Sequence, residues 1–316
     1  MAQCNGCLKD NVTGFCSSCE RILFDRSRIS PKLKFNWEDI SKRIDSQPMG
    51  FSISGVQRKG FIGKPRGVDL VPKMELDEKS LYIIKPMLSR FNLPDQSPAN
   101  EHLTMQMAKQ LFGIRIAECA FVNFANGAPA FITRRFDYDE NGEKLNQEDF
   151  ASVLQAAHKY DSKTYQDVGE WLNPLNKVDF LRILIFNFLT GNGDVHLKNI
   201  SLLETADGDM MLSPSYDLMN TKIHIADNLM ALNLFKEFEQ TSLPLGRRYN
   251  YNSADFIEFG KRLNIREANI IKIIDSFNQK EDDILAMIDR SFLSAYARKL
   301  YKAIVVENYK IFRSAN

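Results

Sequence analysis

The sequence predicts an α+β fold in two lobes, β-rich first and all-helical second, preceded by a small zinc-ribbon-like knuckle. Three observations carry this reading. Four of the five cysteines fall within the first 19 residues. Strand and turn patterns dominate up to about residue 138, and helical periodicity dominates beyond it. The polar stretch RRFDYD joins the two halves, so a cleft is expected where they face each other.

The 316 residues suffice for two domains or one two-lobed fold. At 44% hydrophobic and 26% charged, the composition is that of an ordinary globular protein. A net charge of +1 gives no electrostatic case for direct nucleic-acid binding. No apolar run is long enough to span a bilayer. The opening MAQCNGCLKD has neither a basic leader nor an apolar stretch, so the expected location is the cytoplasm and no membrane partner is expected.

The knuckle is assigned to residues 1–25. In a reducing compartment, Cys4-x2-Cys7 and Cys16-x2-Cys19 read as ligands of a structural zinc ion. A two-residue spacer turns both thiolates of a pair toward one ion, and two such pairs complete a tetrahedron. Gly6 and Gly14 stand where tight turns are needed. The alternatives are a pair of disulfides or a disordered tail. The eight residues between the pairs require a compact loop. Cys119 stands alone in an apolar strand and reads as a core residue. Residues 26–47 form a polar connector with a short segment near Trp37.

The first lobe, 48–138, opens with FSISGVQRKGFIG (51–63), read as two strands around a glycine-bearing loop. LYIIKP (81–86) is a short strand stopped by Pro86. A helix over 100–112 follows from Leu103, Met107 and Leu111 at helical spacing. Asn126-Gly127, between ECAFVNF and APAFITRRF, marks a hairpin. In the second lobe, 139–316, residues 177–190 are apolar almost all round, which places that helix inside a core. Leu293, Tyr296, Leu300 and Ile304 mark the buried face of a helix near the C-terminus.

Alternation along LYIIKP puts Lys85 on one face with Leu81 and Ile83. A buried ammonium needs an anion, either a phosphate or a carboxylate such as Glu101; otherwise Lys85 snorkels to solvent. The 51–63 loop, with Gly55, Gln57, Arg58 and Lys59, offers backbone amides and cations to anionic oxygens, although one glycine is a weak phosphate signature and a basic surface hairpin reads equally well. TGNGDVHLKN (190–199) carries more. The strand ISLLE (200–204), the turn TADGD and the returning MMLS (210–213) bring SPSYD back beside Asn199. Asp194, Asn199 and Asp217 then converge at the mouth of the cleft. The Asp194-x4-Asn199 spacing matches a kinase catalytic loop: one carboxylate takes the proton of an attacking hydroxyl, while an amide and a second carboxylate hold Mg²⁺. Lys198 is placed to offset charge on the transferred group, and His196 to brace the loop. The plain alternative is a polar loop capping the preceding helix.

In order, SISGVQRK, YIIKP, the NEHL helix, ITRRFDY, GNGDVHLKN and SPSYDL resemble the motifs of HipA-like serine/threonine kinases, the toxin components of bacterial toxin–antitoxin systems. The resemblance runs from about residue 48 to near the C-terminus. It implies a protein-kinase-like fold and ATP and Mg²⁺ as cofactors. It also implies Asp194 as catalytic base, Asn199 and Asp217 as Mg²⁺ ligands, and Lys85 as the phosphate-binding lysine. Arg135, Phe136 and Asp137 correspond to the hinge that holds adenine and ribose. Ser52 corresponds to a regulatory autophosphorylation site, with Ser54 a second candidate. No counterpart of the family's N-terminal subdomain is apparent, as in the shorter HipT-type kinases. By that likeness the expected partners are a HipB-like DNA-binding antitoxin, a HipS-like small accessory protein and a protein substrate, an aminoacyl-tRNA synthetase. The knuckle lies outside the pattern. Rival readings are a small-molecule kinase of the aminoglycoside or choline kinase type and a non-catalytic pseudokinase with a zinc interaction module.

Overall fold

The computed structural model describes residues 2–44, 58–63, 65–72, 80–88, 91–139, 141–159, 162–225, 230–236 and 250–314. Two short helices, α1 (Ser17–Phe24) and α2 (Trp37–Ile44), lie in the N-terminal segment. The strands β1 (Gly60–Ile62) and β2 (Tyr82–Pro86) follow, then helix α3 (Ser97–Phe112), then β3 (Cys119–Asn123) and β4 (Pro129–Arg134). These strands form one antiparallel sheet in the order β1-β2-β4-β3, with the Asn126-Gly127 turn closing the β3–β4 hairpin.

Helix α3 begins at Ser97, three residues before the expected 100, with Pro98 in its first turn, where a missing N–H costs nothing. It is also more deeply buried than a single apolar stripe predicts. Leu103 and Met107 are buried, but so are Glu101, His102, Thr104 and Gln106, because the sheet covers one side and the helical half the other.

The strand alternation is resolved on both faces of this sheet. Cys119, Phe121 and Phe131 share the main core with α3. Tyr82, Ile84, Ala120, Val122, Ala130 and Ile132 face the other way and form a second core with Phe15, Leu23, Phe24, Leu33 and Phe35 of the N-terminal segment. That segment therefore covers the outer face of the sheet.

Beyond the sheet come β5 (Gln147–Asp149), α4 (Phe150–Val153), α5 (Tyr165–Trp171), α6 (Pro174–Thr190), β6 (Ser201–Glu204) and β7 (Met210–Leu212). Then come α7 (Ser253–Arg262), α8 (Glu267–Asn278), α9 (Glu281–Asp289) and α10 (Ala295–Arg313). The second half is thus not all-helical. The 200–213 hairpin is present, and β5 adds a third strand to give the order β5-β6-β7. Three residues of polar sequence, QED, left no alternation from which to read β5.

Helix α6 is the centre of the helical half. Asn173 caps its start by accepting from the Asn176 amide at 2.9 Å, and Pro174 occupies the first turn. From Ile183 to Thr190 every side chain is buried. On α10 the buried face is Ala297, Tyr301, Val305, Asn308, Tyr309 and Phe312, whereas Tyr296 is 61% exposed. Of the expected stripe, Leu293 is buried and Leu300 and Ile304 pack against the core, while Tyr296 does not; Tyr301 fills the core, with its hydroxyl 2.9 Å from Thr104 Oγ1 of α3.

Candidate active site

Three segments meet at the inner face of the four-stranded sheet. Lys85, on β2, is 3% exposed. Its Nζ donates to Glu101 Oε1 at 2.5 Å and also to Asp217 Oδ1. Lys59 approaches the other Asp217 oxygen at 3.7 Å. Glu101 comes from the first turns of α3, and its Oε2 has no hydrogen-bond partner among the described residues. The snorkelling alternative for Lys85 is excluded, because its ammonium lies between two carboxylates.

The charges in this recess regulate one another. Burial alone would push Lys85 down, but Asp217 and Glu101 hold it above its ordinary value. Burial pushes Glu101 up to about 7 despite the ammonium beside it. Asp217 feels the same burial, yet Lys85 and Lys59 bring it down to about 2. Burial pulls Lys59 down.

The loop after α6 is assembled by its own polar groups. Gly191, in the left-handed region at φ 74°, ends the helix by donating back to Asn187 and Phe188. A Cβ there would lie 2.8 Å from Ile304 Cγ2, so glycine is needed for space as well as for conformation. Asn192 Oδ1 accepts from the Asp194 amide at 3.2 Å, and the Gly193 amide donates to Thr221 Oγ1 at 2.9 Å. Asn199 Nδ2 donates to the Asp194 carbonyl at 2.8 Å, which leaves the Asn199 side-chain oxygen available to another partner. Tyr165 and Tyr216 donate to the carbonyls of Val195 and Lys198, at 2.8 and 2.9 Å.

This loop lies beside Asp217. Asn192, Asn199, Ser215, Tyr216 and Asp217 line one small recess. His196 Nε2 is 3.8 Å from Asp194 Oδ1, and the imidazole also acts electrostatically on Asp217. Burial lowers the His196 pKa. The Asp194 carboxylate is 43% exposed, with Lys159 Nζ at 4.0 Å. Asp217 itself adopts φ 56°, a conformation that Asp tolerates better than most residues.

At the junction of the halves, Arg135 donates through Nε and Nη2 to both oxygens of Asp137, at 2.9 and 2.5 Å. Its remaining nitrogen reaches Ser80 Oγ at 2.6 Å. Asp137 is therefore engaged by Arg135 in this structure. The Phe136 ring lies 5.8 Å from that of Tyr216. Ser52, Ser54, Gly55 and Gln57 lie outside the described residues.

Away from the cleft, the sulfur atoms of Cys4, Cys7, Cys16 and Cys19 all lie within 4.8 Å of one another. Cys7 and Cys16 Sγ are 3.7 Å apart, far beyond a disulfide bond. Tetrahedral zinc–thiolate geometry sets neighbouring sulfurs about 3.8 Å apart, so the donor set fits a zinc ion. Hydrogen bonding with Cys19 and Cys7 holds the Cys4 thiol far below its usual value. The contacts with Cys4 and Cys7 push Cys19 up. The Cys16 amide donates to Cys4 Sγ at 3.2 Å.

The residues missed by sequence reasoning are Lys159 and the supports Tyr165, Tyr216 and Thr221. Lys159 sits in a polar stretch without periodicity, so no pattern marks it. The tyrosines act through hydroxyls at long sequence separation, where spacing gives no signal.

A sheet with a buried lysine–glutamate pair, facing an Asp–Asn loop and a second Asp at a helical half, defines a kinase-like fold. A solved complex of Shewanella oneidensis HipA with HipB and operator DNA contains a chain of this fold, similar at TM-score 0.62 and 21% identity over 89% of this chain and 71% of that one. The chain belongs to the family of HipA-like C-terminal domains, which matches residues 51–284. A protein of Haemophilus influenzae named as a kinase is 28% identical over 284 residues, 80% of this chain and 79% of that one. A kinase-named protein of Sinorhizobium fredii is 31% identical over 232 residues, covering 65% and 54% of the two chains. The serine/threonine-protein kinase toxin HipA of Shewanella oneidensis is 28% identical over 186 residues, 50% of this chain and 41% of that one. The family match begins at residue 51 and so leaves out the cysteine cluster.

Proposed function

We propose that this chain is an ATP-dependent serine/threonine kinase that acts as the toxin of a HipA-like toxin–antitoxin system. The observation that carries the reading is the Lys85–Glu101–Asp217 ion-pair set next to the Asp194–Asn199 loop. Lys85 and Lys59 offer two ammonium groups to nucleotide phosphates. Asp217 and the free oxygen of Asn199 are hard donors of the kind Mg²⁺ takes, and the ion supplies charge neutralisation on the phosphates when bound. Glu101 orients Lys85. Asp194 accepts the proton of the incoming hydroxyl as its oxygen bonds to phosphorus and the bond to the leaving oxygen breaks. Lys198 offsets charge on the transferred group, and His196 braces the Asp194 side of the loop. Arg135, Phe136 and Asp137 hold adenine and ribose, which requires Asp137 to exchange its Arg135 partner for the sugar hydroxyls. Zinc at the four cysteines is structural.

By the motif resemblance to HipA-like kinases, the substrate is a component of translation, an aminoacyl-tRNA synthetase. The partners are a HipB-like antitoxin and a HipS-like accessory protein, and Ser52 or Ser54 takes phosphate to restrain activity. The test is incubation of the full chain with γ-labelled ATP and cell lysate. A labelled protein band supports this function, whereas label only in small molecules supports a small-molecule kinase. Asp194→Asn is expected to lose label transfer by about a thousandfold while retaining nucleotide binding. Growth arrest by that variant equal to the parent's would make the chain a non-catalytic binding module.

A further inference from the structure

We propose that zinc at Cys4, Cys7, Cys16 and Cys19 acts as a clamp on both members of the Lys85–Glu101 pair, so that occupancy of a site outside the cleft sets the geometry inside it. Only its last step, the effect on nucleotide, rests on the reading of Lys85 as a phosphate-facing ammonium.

In the turn that carries the first two ligands, Asn5, Gly6, Cys7 and Leu8 are each engaged by the kinase-like core. Asn5 Nδ2 donates to the Phe121 carbonyl at 2.8 Å, and the Phe121 amide donates back to the Asn5 carbonyl at 2.9 Å. Phe121 lies opposite Phe131 in the sheet, and Phe131 lies opposite Lys85. The Lys85 ammonium sits 5.3 Å from the Phe131 ring centroid. A straight cross-strand path thus runs from Asn5 to Lys85.

The second path runs to Glu101. The next residue on α3, His102, is fully buried and donates through Nε2 to the Gly6 carbonyl at 2.8 Å. One helical face further along, Gln110 Nε2 donates to the Cys7 carbonyl at 3.0 Å. Leu8, 1% exposed, enters the main core that includes Leu103 and Met107 of α3. Gly6 is wedged between this helix and the cluster, since a Cβ there would lie 2.6 Å from Cys19 Sγ.

A segment this short has little core of its own, so its shape depends on the metal. Binding the ion releases thiol protons to solvent and fixes four sulfurs, and with them the carbonyls of Asn5, Gly6 and Cys7. Those carbonyls hold β3 and α3. Loss of the ion frees the turn; α3, which carries Glu101, loses a direct support, and β2, which carries Lys85, loses one transmitted through β3 and β4.

The experiment uses the full chain purified from zinc-supplemented medium. Elemental analysis is expected to give one zinc per chain. After chelation, amide hydrogen exchange should accelerate about tenfold over β2 and the first half of α3 as well as over residues 2–24. Exchange over α7 and α8 should stay constant, and added zinc should reverse the change. Affinity for a fluorescent ATP analogue should fall about tenfold in step. His102→Leu is expected to keep its zinc yet show the same acceleration over α3, and His102→Gln, which keeps a donor, should restore protection. The variant carries the test if chelation unfolds the chain. Absence of zinc, or acceleration confined to residues 2–24, overturns the clamp. If β2 and α3 respond to zinc while no nucleotide binds in either state, the clamp stands and the nucleotide reading falls.

Discussion

At the level of single side chains, charge decides what the recess can do. Two ammonium groups and two carboxylates share it, and the carboxylates respond oppositely. Glu101 is pushed from 4.5 to about 7, so folding favours its protonated form. Its stabilising contribution is full below pH 4.5 and is lost as pH rises through 7. Asp217, lowered from 3.8 to about 2, contributes above 3.8 and loses that contribution only as pH falls toward 2. The windows do not overlap. Glu101→Gln is therefore expected to remove a fall in unfolding free energy between pH 4.5 and 7 on the order of 3 kcal/mol, measured by urea denaturation at several pH values. An unchanged pH slope would mean that Glu101 titrates normally. The pairing of Lys85 with Glu101 was legible in sequence because a buried ammonium demands an anion and the next helix offered one. The contact of Lys85 with Asp217 was not, since 132 residues separate them and no spacing rule bridges that distance.

At the level of elements, periodicity located helices well but not their ends or their buried faces. Capping chemistry explains the ends: Pro98 and Pro174 sit in the first turns, upstream of the periodic stretch. On α10 Tyr296 departs from the expected stripe, because it is apolar enough to join one yet is exposed to solvent. Two helix-ending glycines test how far such geometry reaches the loop. Gly113 has φ 63° with nothing near a built Cβ, whereas Gly191 has φ 74° and a Cβ would meet Ile304 at 2.8 Å. Gly113→Ala should cost about 1 kcal/mol through backbone strain alone. Gly191→Ala should cost about 2 to 3 kcal/mol, because Ile304 or the loop must also shift. Chemical denaturation compares the two. Because the displaced loop carries Asn192 and Asp194, phosphoryl transfer should fall for Gly191→Ala and not for Gly113→Ala.

For the whole molecule, the sheet is the shared wall between two cores, and only one of them was foreseen. The cysteine spacing pointed to the four-thiol cluster but said nothing of what the knuckle covers, because packing between distant segments leaves no local pattern. Its place in the structure gives it a second task. Phe15, Leu23 and Phe24 lie over Tyr82, Ile84, Val122 and Ile132, and Tyr82 donates to the Leu23 carbonyl at 2.8 Å. Without this cover, a contiguous apolar sheet face would meet water, a surface that promotes association. A chain lacking residues 1–24 is therefore expected to aggregate, whereas Leu8→Ala, which leaves the cover in place and opens a cavity in the main core, should remain monomeric and lose about 2 to 4 kcal/mol. Size-exclusion chromatography and denaturation distinguish the two defects. A monomeric truncated chain with a cooperative melt would show that the sheet is stable with one face bare, and the N-terminal segment would then act through its turn on α3 and β3 alone.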